Sequence, residues 1–68
     1  MPAGELREGS HIMHDGHLWY VAAVGDDKDP DYVGVDMIRY LGRKRERWVF
    51  KRSSEVDHRG SSAVRFAS

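Results

Sequence analysis

Basic side chains crowd one stretch of this 68-residue chain. Arg39, Arg43, Lys44, Arg45, Arg47, Lys51 and Arg52 fall within residues 37–52 against the single acid Glu46, a local net of +6. Dense cationic surfaces suit phosphate backbones, because each neutralised phosphate releases condensed counterions. If residues 45–51 form a strand, alternation puts Arg45, Arg47 and Lys51 on one face, with Arg43, Lys44 and Arg52 flanking them from turns. Tyr40 would add a stacking ring if exposed. These six cations are the candidate nucleic-acid contacts. The bland alternative is a solvated strand whose Arg and Lys discourage edge-to-edge association.

Other chemistry-bearing groups fit their motifs poorly. His11, His14 and His17 recur every third residue with Asp15 among them, and Asp57 and His58 could approach in space. Imidazoles bind zinc, but tetrahedral sites need three or four well-placed ligands, and no metalloprotease spacing occurs. No metal or cofactor is expected. Asp27, Asp29 and Asp31 alternate like the opening of a calcium loop. Tyr32 replaces the glycine of its sixth position, Ile38 replaces the glutamate of its twelfth, and Pro30 stiffens its middle. A hydrated acidic turn is the expectation. Ser53, Ser54, Asp57 and His58 supply nucleophile, acid and base types, but they fall in a polar stretch, and adjacent Asp57 and His58 need not face together. Gly34 and Gly42 make no nucleotide fingerprint. The chain is expected not to be an enzyme.

Composition narrows the class further. The length allows one domain with a small core. Cysteine is absent, which excludes disulfides and thiolate metal sites. No apolar run approaches the roughly 18 residues of a membrane helix, and the start does not resemble a secretory signal. These features predict a soluble, cytoplasmic protein without membrane association. Net charge is zero, yet residues 17–36 carry Asp26, Asp27, Asp29, Asp31 and Asp36 against Lys28 alone, a net of −4. The acidic and basic segments can face separate partners or each other, within one chain or across an oligomer.

The elements that position these groups read as β-structure. His17 to Val24 suits a central strand apolar on both faces, with Leu18, Tyr20, Ala22 and Val24 on one side and Trp19, Val21 and Ala23 on the other. Gly25 to Asp31 is a loop. Tyr32 to Leu41 reads as a strand carrying Val33, Val35 and Met37 on one face. The alternative is a short helical turn near 35–41, capped by Asp36 and stopped by Gly42. Arg45 to Lys51 alternates with period two, turning Trp48 and Phe50 inward. Residues 1–16 read as a flexible tail. Gly9 to Met13 resembles the junction left by tag removal, which would put the natural start near Met13. Residues 53–68 read as a polar tail with a short final strand at 63–66.

The expected fold is therefore mainly β, a small antiparallel sheet or an SH3-like partly closed barrel. Its compact part spans residues 17–52, with core residues Leu18, Tyr20, Val24, Val35, Trp48 and Phe50. A core of about 36 residues is near the limit of independent folding, so a homo-oligomer is expected. The expected function is a small binding module contacting RNA or DNA phosphates through the basic strand. The alternative is a protein-interaction or assembly module whose acidic loop and basic strand are complementary.

Overall fold

The computed structural model describes residues 1–61. The strand expected at 63–66 lies outside the described residues. Five strands, β1 (Ser10–His14), β2 (His17–Asp26), β3 (Tyr32–Arg39), β4 (Arg45–Lys51) and β5 (Asp57–Ser61), form one antiparallel sheet in the order β4-β3-β2-β1-β5. A single turn of 3₁₀ helix, Ala3–Glu5, precedes them. The sheet curls without closing into a barrel. Residues 32–39 are strand, so the helical alternative near 35–41 is not what forms. β-Branched Val33 and Val35 suit a pleated strand, and pairing with β2 and β4 satisfies the β3 backbone on both sides. Among the described residues, no helix is long and apolar enough to cross a membrane.

The first sixteen residues correct the expectation of a tail. β1 lies inside the sheet between β2 and β5. Its connection to β2 is a two-residue hairpin loop at Asp15 and Gly16, both left-handed at φ 53° and 76°, the backbone that Asp-Gly favours in tight hairpins. Ser10 and Ile12, within the segment that resembled a tag junction, are buried. Upstream, Ala3 and Leu6 enter the core, while the Ala3 and Gly4 amides donate to the Ser54 and Arg52 carbonyls at 2.8 and 3.0 Å. Residues 1–6 therefore pack beside the chain that leaves β4. The stretch after residue 52 likewise holds β5 rather than only polar tail.

The core is Ala3, Leu6, Ile12, Trp19, Val21, Val33, Val35 and Met37, with Trp48, Phe50 and Val56 partly buried against it. Several expected core positions are therefore reassigned. On β2, Trp19 and Val21 face the core, while Leu18 and Tyr20 take the opposite face. Tyr20 is still buried, beside His11 with ring centroids 5.8 Å apart. The register slips between Val21 and Ala23, so Ala22 is an extra residue in the β2–β3 ladder. Such a bulge breaks strict alternation. Past it, Val24 pairs with Val35 at the end of the sheet and is 37% exposed. Val35 itself is fully buried.

Because Leu6 fills the core, Leu6→Ala should destabilise the protein by roughly 2–5 kcal/mol in a denaturant titration. A side chain in a solvated tail would move stability by less than about 0.5 kcal/mol.

Candidate nucleic-acid interface

β4 builds the site. Its residues alternate between exposed and half-buried along the whole strand. Trp48 and Phe50 turn inward with Glu46, whereas Arg45, Arg47, Val49 and Lys51 turn outward. The inner side is held by rings. His14 from β1 meets Trp48 and Phe50 edge-on, with centroids 4.3 and 5.3 Å apart. The Trp19 indole donates to the His14 carbonyl at 2.8 Å. Both aromatic residues of β4 are thus fixed from across the curled sheet, and their positions orient the cations between them.

The six candidate cations divide by partner. Lys44 pairs with Glu46 at 2.9 Å, and Glu46 also accepts from the Trp48 indole at 2.9 Å. Hydrogen bonds from Lys44 and then from Trp48 hold the Glu46 carboxyl below the usual range. Arg52 binds Asp26 at 2.9 Å and the Pro30 carbonyl at 2.9 Å, bracing both ends of the acidic loop. Arg47 makes one long contact to Asp36, at 3.4 Å. Arg43 sits in the β3–β4 turn with a left-handed φ of 50°. Arg45 and Lys51 make no ion pair among the described residues. The open cationic face is therefore Arg45, Arg47 and Lys51. Lys44 and Arg52 serve internal contacts, and acidic-basic complementarity is partly satisfied within one chain.

Gly34 on β3 gives Arg47 its path. A Cβ at position 34 would lie 2.3 Å from Arg47 Nη2, so the guanidinium crosses the space that any other side chain would occupy. Beyond Arg45, the outer face continues across the sheet. Arg45 pairs with Ile38, Ile38 with Tyr20, and Tyr20 with His11. Tyr40 lies beside this row, its hydroxyl 3.0 Å from His11 Nε2. Burial and then the Tyr20 phenol raise its pKa.

The other chemical groupings disperse. Strand alternation puts His11 and His14 on opposite faces of β1, and among the described residues no three His, Asp or Glu side chains gather to hold a metal ion. Asp57 pairs with Arg59 at 2.9 Å rather than orienting His58, whose Nε2 lies 3.4 Å from Ser61 Oγ. In the acidic loop, the Asp31 amide donates to the Asp29 carboxylate at 2.9 Å, a local turn bond. The His11–Tyr20–Tyr40 grouping could not be found from sequence while His11 belonged to an expected tail. The Asp15-Gly16 pair was the signal that could have placed it.

No family model and no curated protein matches this chain.

Two outcomes test this geometry. Gly34→Ala should leave stability within about 1 kcal/mol, because the atom displaced ends a flexible side chain, yet it should move the Arg47 side-chain resonances. The lowered Glu46 pKa makes its contribution present above the ordinary glutamate range and lost as pH falls through the folded value. Glu46→Gln should therefore lower the denaturation midpoint at neutral pH and converge with the unaltered protein in acid.

Proposed function

We propose that this protein is a non-enzymatic binding module that holds nucleic-acid phosphates on the outer face of β4. The observation that carries the reading is the placement of Arg45, Arg47 and Lys51 on one exposed strand face. Arg45 and Lys51 have no carboxylate partner among the described residues, and Arg47 has only the long contact to Asp36. Residues two apart on a strand share a face at roughly 6–7 Å spacing, so the cations form a line rather than a point. Such a line suits a repeating polyanion. Salt must then weaken binding steeply, since the favourable term is counterion release.

Retardation of short duplexes and single strands across a salt series tests the reading. Binding should be present at low salt. In an Arg45→Ala, Arg47→Ala, Lys51→Ala triple variant, the slope of log K against log salt should flatten by roughly two to three. Absence of binding at low salt, or an unchanged slope in the variant, would overturn the proposal.

A second reading has its own observation. The Arg39 amide donates to the Lys44 carbonyl at 2.7 Å and the Arg52 amide to the Asp31 carbonyl at 2.8 Å. The even-numbered residues of β4 therefore turn their backbone groups toward β3, and Arg45, Arg47 and Val49 turn theirs toward the open edge. An edge of this kind can accept a further strand from another protein, here an acidic one, such as the Asp27–Asp31 segment of a second copy. Sedimentation equilibrium at high micromolar concentration should then show a homo-oligomer that Val49→Lys dissociates without unfolding. A folded monomer throughout would remove self-association.

A further inference from the structure

The Lys51 end of the cationic line carries a ring that the fold itself does not use. Tyr32, the first residue of β3, is 36% exposed. Among the described residues its ring meets no other ring and its hydroxyl makes no hydrogen bond. Its backbone is nonetheless pinned. The Tyr32 amide donates to the Asp29 carbonyl at 3.0 Å, and the Asp31 carbonyl accepts from the Arg52 amide at 2.8 Å. The Arg52 guanidinium also holds the Pro30 carbonyl and Asp26. Cations stand on two sides of the ring. Lys51 is the cross-strand partner of Tyr32, which sets their Cβ atoms roughly 4.5–5.5 Å apart. Gly34 is the next residue of β3 on the same face, and the Arg47 guanidinium occupies the space a side chain there would fill. Arg47 therefore leaves its own row, opposite Asp36, and leans toward Tyr32. Gly25 pairs with Gly34 from β2, and a Cβ there would meet nothing within 4 Å. The β2 side of this row is bare backbone.

A nucleotide joins a flat π-face to phosphates, and this corner sets a ring beside two cations. Duplex bases cannot use the ring, because their faces are already stacked on each other. An unpaired base can, and aromatic side chains beside cationic grooves are how sequence-tolerant single-strand binding is built. We propose that the ligand is single-stranded nucleic acid, one of whose unpaired bases stacks on Tyr32 while the flanking phosphates meet Lys51 and Arg47. This rests on the phosphate-binding reading above and adds the substrate class and the residue that selects it. Charge also sets the direction of the bound strand. Asp27 and Asp31, in the loop that leads into Tyr32, make no ion pair among the described residues. Their carboxylates repel phosphates, so the backbone runs from Lys51 toward Arg45, away from that loop.

The test uses the full chain and fluorescence anisotropy with labelled strands of one length: oligothymidylate, an abasic strand of equal charge, and a duplex. Oligothymidylate should bind roughly 5- to 100-fold more tightly than the abasic strand at the same salt. Tyr32→Ala should erase that advantage and leave duplex affinity unchanged, and Tyr32→Phe, which keeps the ring, should retain the advantage. In the unaltered protein, the ring-proton resonances of Tyr32 should move with oligothymidylate and stay in place with the abasic strand. Salt-dependent binding that treats base-bearing and abasic strands alike would overturn the stacking proposal while leaving the phosphate reading intact. So would a base-dependent advantage that leaves the Tyr32 resonances unmoved. Both outcomes are read on the unaltered protein and do not depend on any variant folding. Failure of every strand to bind at low salt would remove both proposals.

Discussion

A sheet of five short strands must bury one of its faces, and here the chain's own beginning does much of that work. Ala3 and Leu6 are brought to the sheet by a single 3₁₀ turn, and Ile12 reaches the core from β1. Together they cover Trp19, Val21, Val33, Val35 and Met37. Hydrogen bonds from Ala3 and Gly4 to the chain after β4 hold that segment in place. Each fully buried aliphatic side chain contributes roughly 1.5–3 kcal/mol relative to exposure, a large share of the margin available to so small a domain. The expectation that a second chain supplies the missing apolar surface counted only residues 17–52. The first twelve residues provide such surface within one chain.

One face of the sheet is packed, and the other carries the outward cations of β4. β4 is where the two requirements meet. Its inner residues Trp48 and Phe50 lie against His14 at the margin of the core, and its outer residues stand in solvent. A strand has no means of moving one set without the other, because successive side chains project from a common pleat. The side of the strand on which the cations stand is therefore set by the aromatic packing beneath it.

Electrostatics then sorts the basic residues that sequence grouped together. Those near an acid on the same surface are used structurally. Lys44 neutralises Glu46, which clamps the Trp48 indole, and Arg52 ties Asp26 to the loop carbonyl of Pro30. Exposed pairs of this kind add little to stability, but they withdraw two cations from the set available to a ligand. On β4 itself Arg45, Arg47 and Lys51 lie on one side of the strand, and the Arg45 end of that side adjoins the rings of His11, Tyr20 and Tyr40.

Period-two alternation was legible in the residues themselves. Val33, Val35 and Met37 on one face of β3, and Trp48 and Phe50 opposite Arg45, Arg47 and Lys51 on β4, followed from spacing alone, because a pleated strand admits one assignment of faces once its apolar set is known. The Asp15-Gly16 pair carries a hairpin signal, but residues 1–16 read as a tail, because the flanking histidines lack the apolar signature that marks most hairpins. Three features were settled only in three dimensions. The bulge at Ala22 shifts the faces of β2 partway along, so that Val24 comes to the same side as its partner Val35, where it is still 37% exposed. Ala3 and Leu6 are buried by strands distant in sequence, so no local pattern reveals their role. Which cations stay open depends on carboxylates brought near by folding, as Asp26 is to Arg52 across 26 positions of chain. Local periodicity fixes which way a side chain points, and only the folded chain decides what it meets there.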